Sequence, residues 1–284
     1  MAGKLFVVGT PIGNLSDFSP RAIETLSSVD FIAAEDTRVT IKLLNRFDIH
    51  TPMVSYHKFN TRDRGEEICQ RIEQGENCAI VTDAGMPCVS DPGELLVQQC
   101  YDRGITVCVV PGPTAVASAL AIAGLPTGRF TFEGFLSVNK PSRREHLLSL
   151  LHEPRTMVFY EAPHKLPATL RDMYQAFGDR RIAIVKELTK LHEEVIRTTL
   201  AEAAEKYTDE SIKGEIVLVI EGAAVTDSQP AATLDEAVAA AEELMDAGFS
   251  PSEAAKETAR LTGLKKGDIY KCLLGKKITG QKEE

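Results

Sequence analysis

The sequence has no apolar run long enough to span a membrane, and its six cysteines contain no Cys-x-x-Cys pair. The first absence argues against a membrane protein. A strand-like segment follows Lys4 at once, so we expect no signal peptide either. Most cysteines lie in apolar surroundings, which indicates reduced thiols in a cytoplasmic protein. The six histidines are scattered without metal-ligand spacing, and we therefore expect no metal site.

Two further features narrow the class of protein. Residues 10–14 (TPIGN) form a glycine-containing loop after a predicted strand, but they match neither the Gly-x-Gly-x-x-Gly dinucleotide motif nor a phosphate-binding P-loop. The net charge of −9 argues mildly against a protein whose surface as a whole binds nucleic acid. It leaves room for a local basic face, which is what contacts to phosphate require.

The stretch that organises the sequence is residues 79–93 (AIVTDAGMPCVSDPG). It reads as the end of a buried strand followed by a loop, and open α/β sheets bind small ligands at the carboxyl ends of their strands. Gly85 and Gly93 let backbone amides approach a ligand closely. Asp83 and Asp91 can accept hydrogen bonds from hydroxyl or amine groups. An ordinary strand-to-helix turn, rich in turn-forming residues, is the alternative interpretation.

Strand and helix patterns alternate up to residue 123, which predicts a mostly parallel sheet. A second alternation follows, and residues 223–233 have the composition of a linker. We therefore predict domains at residues 1–123 and 124–224 and a small helical tail at 233–284. The tail shows a helix, a glycine-containing turn and a short helix, as in helix-turn-helix modules. Between Lys256 and Lys277 it carries seven basic residues against two acidic ones. A solvated lysine-rich helix is the alternative.

Six segments together resemble the tetrapyrrole methylase superfamily of S-adenosylmethionine-dependent methyltransferases. They are GTPIGNL (9–15), AEDTR (34–38), VTDAGMPCVSDPG (81–93), VPGPT (110–114), EAPH (161–164) and KELTK (186–190). The resemblance covers essentially the whole chain, and it is specific through the order and spacing of the segments. Within the superfamily, the chain resembles members that methylate the ribose 2′-hydroxyl of a cytidine in the 16S RNA of the small ribosomal subunit.

The resemblance implies an α/β fold of two unequal domains of the class III methyltransferase type, with a small helix-turn-helix-like C-terminal domain. It also implies a homodimer and S-adenosylmethionine in the cleft between the domains. The implied cofactor residues are Pro11, Thr82, Asp83, Ala84, Gly85, Met86, Pro113, Thr114, Ala115, Tyr160, Glu161 and Ala162, with the region before the last strand. The superfamily's Gly-Asp-Pro loop is Thr82-Asp83-Ala84 here. This departure makes a porphyrin or corrin substrate a weaker expectation.

The implied reaction needs a group that takes the proton of the ribose hydroxyl. The candidate catalytic residues are polar groups at strand ends: Glu35, Asp36, Arg38, Lys186 and Glu187. We assign the base to Glu187 or Asp36, and contacts to phosphate or an orienting role to Arg38 or Lys186. A structural ion-pair network is the alternative for all of them.

RNA would approach through basic residues at 58–64, at 140–144 and in the tail. Two rival functions remain at the level of the sequence. One is methylation of a small tetrapyrrole, and the other is RNA binding without catalysis.

Overall fold

The structure is a computed structural model that describes residues 2–209, 212–224, 233–246 and 249–279. It divides into two compact units, Met1–Ala223 and Ala224–Glu284. The first unit contains two five-stranded sheets, and the second contains helices only in its described part.

The first sheet has the strand order β3-β2-β4-β1-β5 and is parallel throughout, as the alternating pattern predicts. Its strands are β1 (Lys4–Val8), β2 (Phe31–Ala34), β3 (Met53–Ser55), β4 (Cys78–Val81) and β5 (Thr106–Val110). The helices between and after them are α1 (Pro20–Ser28), α2 (Thr37–Arg46), α3 (Thr61–Glu73), α4 (Gly93–Asp102) and α5 (Ala115–Ala123).

Both faces of the central strands β1, β2 and β4 are largely buried, because successive side chains point to opposite faces and helices cover each face. Leu5 and Val7 belong to the core that includes Ile68 and Leu96 of α3 and α4. Val8 belongs to the core on the other face, with residues of α1 and α2. This two-sided burial explains why the strands are short, nearly continuous apolar runs.

The second sheet has the order β6-β7-β10-β8-β9 and mixes strand directions. Its elements are β6 (Phe130–Phe135), α6 (Lys140–Ser149), β7 (Thr156–Glu161), α7 (Leu166–Phe177), β8 (Arg181–Lys186), β9 (Glu194–Thr199), α8 (Leu200–Asp209) and β10 (Ile216–Ile220). Only β6 and β7 pair in parallel; the other pairs are antiparallel. The sequence did not predict β9, because an edge strand with exposed polar side chains gives no buried apolar run.

Helix α5 packs on the second sheet although it follows the last strand of the first. Its Ala119, Leu120 and Ala123 share a core with Val185 of β8 and Val217 of β10. The small alanines allow the helix axis to approach the sheet closely. Helix α5 therefore joins the two sheets of the first unit.

Three helices begin before their apolar periodicity does: α3 at Thr61, α6 at Lys140 and α11 at Lys266. Their first turns are polar and basic, so the apolar periodicity that indicates a helix starts only later. In α6 the side chain of Asn139 caps the helix by accepting a hydrogen bond from the Ser142 amide at 3.1 Å.

The second unit contains α9 (Leu234–Asp246), α10 (Pro251–Thr262) and α11 (Lys266–Thr279). Ser250 and Glu253 form a reciprocal capping box at the start of α10. Apolar side chains of all three helices, among them Val238, Ala254 and Ile269, form one core. Most of the predicted linker and the last residues of the predicted tail lie outside the described residues. No helix in the described ranges is long and apolar enough to cross a membrane.

The carboxyl ends of β1 and β5 approach each other so closely that glycine is required at both. A Cβ atom on Gly112 would lie 2.8 Å from the Cα of Gly9, and one on Gly9 would lie 2.7 Å from the Cα of Gly112. Both neighbours are backbone atoms, which cannot move aside as a flexible side chain can.

We predict that Gly112→Ala destabilises the protein by about 1–3 kcal/mol, because the added methyl group overpacks a backbone contact. The matched control is Gly128→Ala, whose Cβ would meet nothing within 4 Å and which should change stability by less than about 0.5 kcal/mol. Denaturant unfolding of both variants checks this. Equal midpoints for the two would contradict it.

Candidate active site between two sheets

Loops from the ends of β1 and β4 are joined by backbone hydrogen bonds. The Thr10 amide donates to the Gly85 carbonyl at 2.9 Å, and the Gly85 amide donates to the Thr10 carbonyl at 3.1 Å. The Thr10 hydroxyl donates to the carbonyl of Thr82 at 3.2 Å. The Gly112 amide contacts the Met86 sulfur at 3.2 Å. Three of the resembling segments therefore meet at one edge of the first sheet, as parallel strands require.

Two cavities of about 530 and 350 Å³ lie beside these loops. Both are lined by Glu35, Thr82, Ala84, Ala115, Phe135 and Tyr160. The larger one is also lined by Ile12, Asp83, Glu161, Ala162, Pro163, Leu188, Glu215, Ile216 and Val217. The smaller one is also lined by Gly85, Met86, Val89, Ser90, Asp91, Thr114 and Val116. Because residues of both sheets line them, the cavities form one cleft between the sheets.

Ten of the twelve residues that the resemblance implies for the cofactor line this cleft: Thr82, Asp83, Ala84, Gly85, Met86, Thr114, Ala115, Tyr160, Glu161 and Ala162. Pro11 and Pro113 do not line it. Pro11 is buried next to the bridging residue Thr10. The Pro113 carbonyl would lie 3.4 Å from a Cβ atom on Gly85. Both prolines therefore support the loops behind the cleft.

Sequence reasoning missed several lining residues, above all Phe135 at the end of β6. Its ring lies 5.4 Å from that of Tyr160, which also contacts Phe132 at 4.9 Å. Ile12 and Leu188 were missed as well. An apolar residue in a cleft has the same sequence signal as one in a core, so only the structure could separate them. The resemblance implied the region before the last strand, whereas the cleft is lined by Glu215 and, within β10 itself, by Ile216 and Val217.

The loop after β4 depends on Asp91. Its carboxylate accepts hydrogen bonds from the amides of Cys88 at 2.8 Å and Gly93 at 2.7 Å. Cys88 and Ser90 both have left-handed backbone conformations, with φ of 67° and 63°, which non-glycine residues rarely adopt. The hydrogen bonds to Asp91 fix this strained turn. These hydrogen bonds favour the charged carboxylate, but burial outweighs them and raises the pKa of Asp91.

Glu161 is the cleft's buried carboxylate, with 5% of its surface exposed. It accepts hydrogen bonds from the Thr169 hydroxyl at 2.5 Å and from the Ala162 amide at 2.7 Å. These contacts hold the turn after β7, so the side chain has a structural task at the place where the sequence implied a cofactor contact.

Glu35, Asp83 and Asp36 meet where β2 and β4 end. The Thr82 hydroxyl donates to Glu35 at 2.5 Å, and the Asp36 amide donates to Asp83 at 3.2 Å. Burial and the charge of Glu35 raise the pKa of Asp83. Asp36 differs, because its ion pair with Arg38 at 2.6 Å lowers its pKa to about 2. Glu35 and Asp83 line the cleft, whereas the Arg38 side chain is 88% exposed.

Lys186 and Glu187 are engaged in ion pairs and do not line either cavity. Lys186 pairs with Glu194 of β9 at 2.5 Å, and Glu187 pairs with Lys190 at 2.9 Å. Hydrogen bonding from Lys190 lowers the pKa of Glu187. These contacts match the alternative of a structural ion-pair network for this pair of residues.

Comparison with known proteins agrees with this architecture. A solved structure of uroporphyrin-III-C-methyltransferase from Thermus thermophilus superposes with a TM-score of 0.55 at 18% identity, covering 77% of this chain and 94% of that one. The fold is thus that of the class III methyltransferases. The model of the family "Tetrapyrrole (Corrin/Porphyrin) Methylases" matches residues 4–204. The chain belongs to this family and is a methyltransferase.

Two curated relatives share the name "Ribosomal RNA small subunit methyltransferase I". The protein from Synechocystis sp. is 45% identical over 96% of this chain and 98% of its own length. The protein from Thermotoga maritima is 48% identical over 220 residues, which is 78% of this chain and 99% of that protein. The second match is close in length to the first compact unit of this chain, Met1–Ala223.

The opposite pKa shifts predict opposite effects of pH on two variants. The lowered pKa of Asp36 means that its charged form stabilises the fold above pH about 3.8, an effect lost as pH falls through about 2. Asp36→Asn should therefore be less stable than the parent at pH 7, with a difference that shrinks near pH 3.

The raised pKa of Asp83 means that its charged form costs stability above that pKa. Asp83→Asn should be more stable than the parent at pH 7, and the gain should vanish below the unfolded pKa. Denaturant unfolding across pH measures both variants, each serving as control for the other. If both variants were more stable than the parent at pH 7, or both less stable, the pKa shifts assigned to Asp36 and Asp83 would be contradicted.

Proposed function

We propose that the protein transfers a methyl group from S-adenosylmethionine to the ribose 2′-hydroxyl of a cytidine in 16S RNA of the small ribosomal subunit. The observation that carries the proposal is the 45% identity, over nearly the full length of both chains, to a protein named for small-subunit ribosomal RNA methylation. The cleft between the sheets supports it, because it offers a site for a small cofactor at the edge where α/β sheets bind ligands.

The cleft fits S-adenosylmethionine in size and chemistry. Its cavity volumes lie in the range of small-molecule sites, about 300–1,000 Å³. Ile12, Ala115 and Leu188 provide an apolar wall, while Thr82 and Thr114 provide hydroxyl groups. Glu35 and Asp83 supply negative charge, which favours a sulfonium cation. When bound, the cofactor supplies an electrophilic methyl group.

The residues of this chain must then align the hydroxyl and remove its proton. Asp36 and Glu187, the bases expected from the sequence, both have lowered pKa values, which makes their carboxylates weak bases. Glu35 and Asp83 line the cleft, and the pKa of Asp83 is raised. We therefore place the base in the Glu35–Asp83 pair. Arg38 is the exposed cation beside it and is suited to a phosphate contact.

RNA binding belongs to the basic residues at 58–64, at 140–144 and in the tail. The Thermotoga relative matches 78% of this chain with 99% of its own length. This supports a catalytic role for the first unit and an accessory role in RNA affinity for the second. We also propose that the protein acts as a homodimer and is located in the cytoplasm, where ribosomes are assembled.

The test is to incubate the purified protein with methyl-labelled S-adenosylmethionine and small ribosomal subunits that lack their native methylation. Nucleoside analysis should find the label on 2′-O-methylcytidine. Label on another nucleoside would correct the acceptor. Measurable binding of S-adenosylmethionine with no labelled RNA would favour a small-molecule acceptor such as a tetrapyrrole.

The same assay tests the base. At saturating cofactor, Asp83→Asn or Glu35→Gln should lower kcat by about 10²–10⁴-fold, the usual contribution of a general base, in addition to any weaker cofactor binding from the lost negative charge. Glu187→Gln is the control and should keep kcat within a few-fold of the parent. A large loss of kcat in Glu187→Gln, with normal kcat in both cleft variants, would identify Glu187 as the base instead.

A further inference from the structure

We infer that Phe59 is a stacking platform for an unpaired base of the RNA next to the target nucleotide. The inference rests on the proposed function, because it assumes an RNA substrate, and it adds a positioning residue to it. Phe59 is 84% exposed, more than any other phenylalanine or tyrosine in the described ranges. Single exposed apolar residues are common on protein surfaces, so exposure needs support from the surroundings of the ring.

The turn that carries Phe59 is held in one conformation. The Asn60 carboxamide accepts a hydrogen bond from the His57 amide at 2.8 Å and donates one to the Ser55 carbonyl at 3.1 Å. The Phe59 amide donates to Nδ1 of His57 at 3.3 Å. The His57 and Phe59 rings meet edge to face at 6.0 Å. Because the backbone that carries the exposed ring is already held in place, less conformational freedom is lost when a base stacks on it.

The turn lies on the side of the first sheet where the cleft opens. It directly follows β3, and the register pairs Ala34 of β2 with Ser55 of β3. The Tyr56 amide donates to the Ala34 carbonyl at 2.8 Å. Glu35, the next residue of that neighbouring strand, lines both cavities. The turn with Phe59 is therefore one strand away from the cleft, at the same edge of the sheet.

The charges around the ring suit RNA. Nζ of Lys58 lies 4.8 Å from the centroid of the Phe59 ring. Arg62 follows in the first turn of α3. In the described part of the chain, no carboxylate forms a salt bridge with Lys58 or Arg62; one acidic neighbour, Asp63, offsets part of the charge. An exposed aromatic ring flanked by cations is how proteins bind single-stranded RNA, through base stacking and phosphate contacts.

The sequence contains no tryptophan, so Phe59→Trp creates a unique fluorescent reporter at the proposed platform. Titration with a short unstructured cytidine–uridine RNA should quench its emission, because a stacked base quenches an indole. The matched control is Tyr101→Trp. Tyr101 is 68% exposed and lies near the end of α4, at the opposite edge of the sheet, so its tryptophan should not be quenched.

Kinetics on small ribosomal subunits provide the second measurement. Phe59→Ala should raise the KM for subunits on the order of tenfold, as loss of one stacked base does, while cofactor affinity stays unchanged and Phe59→Trp keeps normal KM. An unchanged subunit KM in Phe59→Ala overturns the inference. RNA binding seen by anisotropy of a labelled oligonucleotide, without quenching of Phe59→Trp, overturns it too.

Two outcomes separate this inference from the proposed function. Quenching of Phe59→Trp by RNA without any methyl transfer would mean that the proposed reaction fails while the platform stands. Emission of Phe59→Trp that shifts with protein concentration in the absence of RNA would mean that a second copy of the chain covers the ring, and it would overturn the inference.

Discussion

The backbone contact between Gly9 and Gly112 is the constraint on which the rest of the site depends. It brings the carboxyl ends of β1 and β5 within contact distance, at a spacing that no side chain tolerates. The loop after β4 can then bridge to Thr10 through Gly85, and the Met86 sulfur reaches the Gly112 amide. The loops that line the cleft are therefore positioned by main-chain contacts. The Asp91 carboxylate completes the support of the loop after β4, and a sheet that supplies a rigid frame for functional loops is the usual arrangement.

Electrostatics divide the candidate catalytic carboxylates into two groups. Asp36 and Glu187 are held as anions by Arg38 and Lys190. The pKa of Asp83 is instead raised, by burial and by the charge of Glu35. A lowered pKa follows from an ion pair that holds the carboxylate charged, whereas a raised pKa makes a carboxylate a better proton acceptor. The structure thus gives a physical reason to distinguish carboxylates that look equivalent in the sequence.

Much of the fold follows from the sequence, because a strand buried on both faces is a short apolar run that few other structures produce. The central strands β1, β2 and β4 are such runs, and the parallel-sheet rule placed residues 10–14 and 82–86 at one edge. Strand β9 was not predicted because its side chains are exposed or half-buried and form no buried apolar run. Lys186 and Glu187 were expected in the cleft because their partners Glu194 and Lys190 are only visible in three dimensions. Phe135 was not predicted as a site residue, because an apolar residue that lines a cleft has the same sequence pattern as one in a core.

Helix α5 has a mechanical consequence. Its N-cap Thr114 and its first residues Ala115 and Val116 line the cleft, while its last turns are packed into the core of the second sheet. A change in the spacing of the two sheets would have to slide an alanine-rich helix across close-packed neighbours, which interiors resist. The width of the cleft is accordingly set when the chain folds, and a ligand meets a site that is already shaped. Little ordering entropy is then lost on binding, so affinity follows from the contacts made and from the water released.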